Sequence, residues 1–303
     1  PLTSGLPSSA VEHRFPFVKG HGTENDFVLL PDPDGTLHSE LDAETVRRLT
    51  DRHTGLAADG VIRVARSAAL DPTAGVAGKA EWFMDYRNAD GSVAEMCGNG
   101  IRVMARYLWS AGLAHGRELV IGTRSGLRTV HDESNGLYTV EMGRPERIPS
   151  VQPVKVTTVG PIADPGAALG REIDAVAVLA PNPHAVAFVA DLDQVGPLYE
   201  APRIEPEGIF PAGANVEFVD VRGDHHIAVR VWERGVGETR SCGTGVCAAA
   251  WVAMRRDGVG AGATYFVDVL GGRLAVTQRP DGSLLLTGPA EIGLTGEVML
   301  NRL

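Results

Sequence analysis

Two cysteines in this sequence have nearly the same context, Cys97 in CGNG and Cys242 in CGTG, and an apolar stretch with a helical period follows each. A cysteine at a helix N-terminus meets unpaired N–H groups and the positive end of the helix dipole, which favour the thiolate. We therefore expect the pKa of both thiols to fall. The glycines permit close backbone approach, so the same N–H groups can also bind a carboxylate.

A thiolate and a thiol on opposite faces of one carbon can remove a proton on one side and return it on the other, which inverts a stereocentre. The two sulfurs exchange protonation states, so the reaction needs no cofactor. Alternatively, the cysteines form a redox pair, or they are small core residues, as free cysteines often are. We favour acid–base chemistry for Cys97 and Cys242, which share a helix start, and packing for Cys247, which lies inside the predicted helix.

The elements around these motifs are mostly short β-type runs separated by Gly, Pro, Asn or Asp. Only three stretches have a helical period, and they begin at Ala43, Gly100 and Gly243. A doubly wound α/β fold would need a helix after nearly every strand. The sequence therefore predicts an α+β fold. The similarity of the two cysteine motifs predicts two similar halves whose helices face each other across a cleft.

Composition restricts the class of protein. With 303 residues, 44% hydrophobic and 22% charged, the chain can bury a full core. A net charge of −10 argues against a nucleic-acid partner, and no apolar run or N-terminal pattern indicates a membrane span or a signal peptide. An odd number of cysteines indicates free thiols in a reducing compartment, so we expect a cytoplasmic protein. No residue cluster has metal-ligand spacing and no dinucleotide fingerprint is present, so we expect neither a metal nor a nicotinamide cofactor.

Five longer motifs carry a resemblance to a known family. They are KGHGTENDFV from Lys19, YRNADGSVAEMCGNGIR from Tyr86, NPHAV from Asn182, NVEFV from Asn215 and ERGVGETRSCGTG from Glu233. In order and spacing these resemble the signatures of the diaminopimelate epimerase family, and the resemblance covers nearly the whole chain from about Phe15. It implies two pseudo-symmetric domains, each a β-sheet curled like a barrel around a central helix, with the active site in the cleft between them.

The predicted division has three parts. Residues 1–13, which are rich in Pro, Ser and Gly, form a disordered tail. Residues 14–143 together with 289–303 form the N-terminal domain, and residues 144–288 form the C-terminal domain.

The resemblance also implies roles for individual residues. Cys97 and Cys242 are the catalytic acid–base pair, and the N–H groups of the residues after each cysteine hold the substrate α-carboxylate, namely Gly98, Asn99, Gly243 and Thr244. Six further side chains bind the rest of the substrate: Asn25, Asn88, Asn182, Asn215, Glu233 and Arg234. His184 has a supporting role. Two positions depart from the family pattern, Gly60, where many members have Gln, and Pro181, where Gly is common.

The implied activity is the cofactor-independent epimerisation of LL-2,6-diaminopimelate to meso-2,6-diaminopimelate, in lysine and peptidoglycan precursor biosynthesis. The partner is then a small amino-acid substrate, and a homodimer is expected from the family alone. Two alternatives stay open at this point. One is a racemase or epimerase of the same fold that acts on another amino acid. The other is a redox thiol protein in which Cys97 and Cys242 form a reversible disulfide.

Overall fold

The computed structural model describes residues 12–38, 41–70, 76, 78–150, 152–159, 170 and 172–301. Within them lie three α-helices: α1 (Ala43–Thr50), α2 (Gly98–Ser110) and α3 (Gly243–Arg256). The strands of the first half are β1 (Glu12–Gly22), β2 (Asn25–Pro31), β3 (Gly60–Arg66), β4 (Trp82–Asn88), β5 (Glu118–Thr123), β6 (Gly126–Ser134), β7 (Leu137–Gly143) and β8 (Glu146–Arg147). Those of the second half are β9 (Val154–Thr157), β10 (Glu172–Leu179), β11 (Pro183–Phe188), β12 (Arg203–Glu205), β13 (Asn215–Gly223), β14 (His226–Glu233), β15 (Gly237–Thr239), β16 (Thr264–Val269), β17 (Gly272–Gln278), β18 (Leu284–Pro289) and β19 (Glu291–Asn301). Short 3₁₀ turns occupy Ser67–Ala69 and Leu192–Val195.

The prediction of an α+β fold with few helices is confirmed. All three predicted helices form, and α2 and α3 begin directly after Cys97 and Cys242. Residues 1–11 of the predicted tail lie outside the described residues, whereas residues 12 and 13 already belong to β1. The predicted end of the tail is therefore wrong by two residues, because β19 offers β1 a partner strand along this edge.

The two halves repeat one pattern of strand pairing. In the first half β2 pairs parallel with β3, β3 antiparallel with β4, β4 parallel with β5, and β5 to β7 form an antiparallel meander. In the second half the same sequence of pairings joins β11, β13, β14, β16, β17 and β18. Antiparallel pairing of β7 with β18 connects the halves, so the described strands form one continuous sheet. The predicted similarity of the halves therefore extends from the cysteine motifs to the strand order.

Helices α2 and α3 lie inside the curled sheet and supply much of the main core. Helix α2 contacts strands of the first half together with β18 and β19, and α3 contacts β10, β11, β13, β14, β16, β17 and β18. Residues Gly243 to Met254 of α3 are buried on every side of the helix. A helix that is apolar all round must be enclosed, which agrees with the unbroken run of small and apolar residues in VCAAAWVAM. The helices also contact each other.

Helix α1 belongs to a separate, smaller core. Its N-cap Asp42 accepts a hydrogen bond from the Thr45 N–H at 2.7 Å, and its Val46 and Leu49 are fully buried against β2 and β3. This packing fixes the outer side of the β2–β3 pair, whose ends reach the site described below. No helix among the described residues has the length and hydropathy that spanning a membrane requires.

Candidate active site

Each cysteine of the paired motifs caps a helix in the same way. Cys97 has extended backbone angles, and its Sγ accepts a hydrogen bond from the Gly100 N–H at 3.4 Å. Cys242 repeats this geometry at the start of α3, where its Sγ accepts from the Gly245 N–H at 3.4 Å. The sulfur therefore takes the place that a Ser or Asp oxygen occupies in most N-caps.

The two capped helix ends touch. A Cβ atom added to Gly243 would lie 3.1 Å from the Cα of Gly98 and 3.4 Å from the backbone nitrogen of Asn99. A side chain at position 243 would therefore crowd the backbone at the start of α2. In each helix the third N–H after the cap is bonded to sulfur, and in α2 the Asn99 N–H also contributes a hydrogen bond to Cys97. The first N–H groups of a helix have no backbone acceptor within it. The N–H groups of residues 98, 99, 243 and 244 thus gather where two helix dipoles present their positive ends, which suits a carboxylate.

A cavity of about 420 Å³ opens over these helix ends. It brings together eleven of the thirteen residues that the sequence predicted for the site: Asn25, Asn88, Cys97, Gly98, Asn182, Asn215, Glu233, Arg234, Cys242, Gly243 and Thr244. Asn99 and His184 are fully buried and do not line the cavity. The cavity is large enough for a small dicarboxylic amino acid.

Each sulfur also contacts an asparagine side chain. The Cys97 thiol lies 3.8 Å from Oδ1 of Asn25, whose amide nitrogen donates to the Asp59 carboxylate at 2.8 Å. On the other side the Asn215 amide nitrogen donates to Cys242 Sγ at 3.6 Å, and its oxygen accepts from the Arg234 N–H at 2.9 Å. These contacts fix which end of each amide faces its sulfur.

The Asn99 side chain holds the two motifs together instead of facing the cavity. Its amide nitrogen donates to Asn25 Oδ1 at 3.1 Å and to the backbone oxygen of Ser241 at 3.1 Å. Its oxygen accepts from Arg102 at 3.0 Å, and Arg102 also donates to the Gly98 carbonyl at 3.0 Å. Burial lowers the pKa of Arg102 to about 10. The sequence predicted that the backbone N–H of Asn99 holds the substrate α-carboxylate. The inward orientation of the side chain is compatible with that prediction, because the prediction concerns the backbone group.

Both thiols have raised pKa values, so the expectation of a lowered pKa is wrong. Burial raises the pKa of Cys97 to about 11, and the Gly100 N–H offsets this only in part. Burial also raises the pKa of Cys242 well above its ordinary value, and the nearby Glu233 and Glu217 carboxylates add to the shift. The helix-end argument holds for the N–H contacts, but it omits the loss of water around the sulfur and the carboxylates that distant strands contribute.

Glu233 is the carboxyl group of the cavity with the most altered ionisation. Burial raises its pKa to about 7, and the neighbouring charges of Glu217 and Asp59 act in the same direction. The Thr239 hydroxyl donates to Glu233 Oε1 at 2.5 Å and lowers the pKa, as does the hydrogen bond with Cys242. A carboxyl group with a pKa near neutrality beside a thiol can exchange a proton with it.

His184 contacts neither thiol. Its Nδ1 lies 2.7 Å from Glu217 Oε1 and its Nε2 lies 3.0 Å from Asn182 Oδ1, and both the histidine and the glutamate are fully buried. A Cβ on Gly245 would lie 2.6 Å from the same Glu217 oxygen, so the carboxylate is pressed against the first turn of α3. The supporting role predicted for His184 would therefore act on Asn182.

Sequence reasoning missed several polar residues of the site. Asp59, Tyr86 and Thr239 line the cavity, and Ser241 accepts a hydrogen bond from Thr23 at 2.7 Å beneath it. Ser241 directly precedes the cysteine motif, which was an available signal. Asp59 and Tyr86 come from the ends of β3 and β4, and only strand pairing brings them beside Cys97. Within the described part of the chain, no three His, Cys, Asp or Glu side chains are grouped to hold a metal ion.

Solved structures share this fold at low sequence identity. A hydroxyproline epimerase from Agrobacterium vitis superposes with a TM-score of 0.62 at 15% identity, covering 97% of this chain and 95% of that one. A phenazine biosynthesis protein of the PhzF family from Bacillus anthracis gives a TM-score of 0.65 at 17% identity, covering 95% and 99%. The curled two-half architecture with two central helices is thus the fold class of these proteins.

Sequence comparison identifies the particular family. The diaminopimelate epimerase family model matches residues 17–148 and 176–293. The diaminopimelate epimerase of Streptomyces coelicolor is 53% identical over 290 residues, which is 94% of this chain and 95% of the relative. That of Thermobifida fusca is 48% identical over 291 residues, or 95% and 99%. The chain belongs to the diaminopimelate epimerase family and is an isomerase.

Proposed function

We propose that this protein interconverts LL- and meso-2,6-diaminopimelate by a two-base reaction between Cys97 and Cys242. The observation that carries the proposal is the pair of cysteine caps on two helices whose ends touch within one cavity. The names of the relatives support the choice of substrate. The activity would serve the synthesis of lysine and of cell-wall precursors.

The N–H groups of the first turns of α2 and α3 hold the α-carboxylate of the reacting centre in this proposal. As one sulfur removes the α-proton, negative charge spreads onto that carboxylate, and fixed N–H dipoles stabilise it without reorganisation. The second sulfur then donates a proton to the opposite face of the carbon. The proton lost and the proton gained balance, so no cofactor is required in this scheme.

One thiol must ionise before the reaction begins. The raised pKa values of Cys97 and Cys242 mean that both are protonated in the empty cavity at neutral pH. Glu233, with a pKa of about 7, is placed to accept the proton of Cys242. A bound substrate brings a positively charged ammonium group into this acidic surrounding, which favours the thiolate. Ionisation is therefore coupled to substrate binding.

The distal end of the substrate meets the polar walls. Arg234 lines the cavity and donates to the Ala212 carbonyl at 3.0 Å, which leaves further guanidinium N–H groups for a carboxylate. Asn88 and Asn182 add neutral donors and acceptors. A substrate with a carboxylate and an ammonium at each end finds partners of both signs here.

The test is proton NMR of LL-diaminopimelate in D₂O with reductant. We expect the wild-type protein to introduce deuterium at one α-carbon and to form the meso isomer, and Cys97→Ala and Cys242→Ala to form no meso isomer. Cys247→Ala is the matched control, because this buried thiol of α3 does not line the cavity. An unchanged substrate with wild-type protein would refute the proposed substrate, and a panel of other amino acids would then identify the alternative. Formation of the meso isomer by either active-site variant would refute the two-base reaction.

The remaining expectations are also proposals. The domain division at residues 14–143 with 289–303 and 144–288 agrees with the pairing of β19 with β1. Free thiols at Cys97 and Cys242 need reducing surroundings, which supports a cytoplasmic location. The homodimer follows from the family resemblance. Light scattering on the eluting protein tests the oligomeric state, and a mass of about twice 32.0 kDa is the expected result.

A further inference from the structure

Tyr86 is a cavity residue with no assigned part in the reaction. It lies near the end of β4, is 7% exposed and lines the cavity over the two cysteines. Its ring packs edge-to-face on Phe27 with 5.8 Å between ring centres. Among the described residues its hydroxyl has no hydrogen-bond partner. A phenol with a packed ring and an unpaired hydroxyl at a cavity wall is placed to bind a ligand.

The ring occupies space that a side chain at position 60 would otherwise fill. A Cβ on Gly60 would lie 2.5 Å from Cε2 of Tyr86 and 3.0 Å from its hydroxyl oxygen. It would also lie 2.6 Å from the Arg87 carbonyl oxygen, which cannot move aside cheaply. The glycine and the tyrosine are thus a matched pair, and the tyrosine supplies the polar group at this wall.

The repeated strand topology identifies the residue of the second half that is equivalent to Gly60. Gly60 begins β3 and Asn215 begins β13, and each precedes an equivalent antiparallel pair, Val61 with Arg87 and Val216 with Trp232. The Asn215 amide donates to the sulfur of Cys242. Its counterpart Gly60 has no side chain, and the Tyr86 hydroxyl fills that position on the Cys97 side.

The surroundings of this hydroxyl are acidic. Burial raises the pKa of Tyr86 well above its ordinary value, and the Glu233 and Asp59 carboxylates act in the same direction. The phenol is therefore neutral at any physiological pH. A substrate carboxylate would be repelled from a wall of this character, whereas an ammonium group would be attracted.

We propose that the Tyr86 hydroxyl accepts a hydrogen bond from a substrate ammonium group and so helps to determine which amino acids bind. The inference rests on the proposed diaminopimelate activity. The contact exists before and during proton transfer, so its loss weakens substrate binding more than it slows turnover.

The test compares Tyr86→Phe with wild-type protein in the epimerase assay. A hydrogen bond to a charged group is worth about ten-fold or more in binding, so we expect KM for LL-diaminopimelate to rise about ten-fold or more and kcat to change much less. Tyr138→Phe is the matched control, because Tyr138 is buried, stacks on Trp109 and does not line the cavity. Tyr86→Met fills a similar space without an oxygen and replaces Tyr86→Phe in the test if that variant does not fold. The thermal unfolding midpoints of all variants show whether a change in KM comes from loss of folding.

Two competitive inhibitors of equal chain length identify the bound group. 2-Aminopimelate has one ammonium group, and pimelate has none. We expect Tyr86→Phe to raise the inhibition constant of 2-aminopimelate and to leave that of pimelate unchanged. Equal weakening of both would overturn the ammonium assignment. An unchanged KM in an active Tyr86→Phe protein would overturn the inference alone, whereas a wild-type protein that leaves LL-diaminopimelate unchanged would overturn the proposed function and this inference with it.

Discussion

Replacing Thr239 by valine tests whether Glu233 controls the ionisation of the site. The Thr239 hydroxyl donates to Glu233 Oε1 at 2.5 Å, and this hydrogen bond lowers a pKa that burial has raised. Valine has nearly the same shape but no donor. The variant therefore removes one stabilising contact of the carboxylate and leaves the surrounding packing in place.

The expected shift follows from the strength of that contact. A hydrogen bond to a charged acceptor is worth about 1.5–3 kcal/mol, and one pKa unit corresponds to about 1.4 kcal/mol. The pKa of Glu233, about 7 in the wild-type protein, should therefore rise by about one to two units. In our proposal the ionised carboxylate accepts the Cys242 proton, so kcat/KM falls as the pH drops through this pKa.

The assay is the pH dependence of kcat/KM, which reports ionisations of the free enzyme. We expect the acidic limb of the wild-type profile near pH 7 and that of Thr239→Val at a pH higher by about one unit or more. Thr264→Val is the control, because the Thr264 hydroxyl is bonded to that of Thr277 at 2.7 Å in a strand pair away from the cavity. A Thr239→Val limb at the wild-type pH, or below it, would refute the assignment of this limb to Glu233.

Two further predictions concern stability and thiol reactivity. Asp32→Ala should lower the free energy of unfolding by about 3–5 kcal/mol, because it leaves the buried Arg63, 2.8 Å away, without its carboxylate. The control Asp34→Ala removes an exposed ion pair and should lower the free energy of unfolding by no more than about 1 kcal/mol. Denaturant unfolding measures both changes. In the ligand-free protein iodoacetamide should label Cys97 before Cys242, since Cys97 is less buried. Peptide mass spectrometry over time would contradict this if Cys242 were labelled first.

Local sequence rules were sufficient for the parts of the site that are local. The helix starts after Cys97 and Cys242 follow from glycine-rich motifs before apolar helical periods, and the structure has both. The strand-rich character and the similarity of the halves were also visible in the pattern. The gathering of Asn182 and Asn215 beside the cysteines was not, because it depends on the parallel pairing of β11 with β13. Only the family resemblance predicted it.

The ionisation of the thiols shows where local reasoning is insufficient. A helix-end argument considers the N–H groups within one turn, and these do lower the pKa of Cys97. Burial has the opposite effect and is larger. Burial depends on the enclosing strands, and the carboxylates of Glu217 and Glu233 reach Cys242 from β13 and β14. A short stretch of sequence shows neither the burial of the sulfur nor the carboxylates that come from distant strands, so it predicts the wrong direction for the thiol pKa shift.

Equivalent positions in the two halves have side chains of different charge, and this asymmetry affects how the proposed reaction begins. Asn88 and Glu233 precede their cysteines by the same distance along the chain, yet one is a neutral amide and the other a carboxyl group. Only Cys242 therefore has a proton acceptor from this position. At pH 7 a Cys97 thiolate, with a pKa of about 11, costs about 5 kcal/mol. An ammonium group that enters the cavity offsets part of this cost, so our proposed scheme places the ionisation of Cys97 after substrate binding.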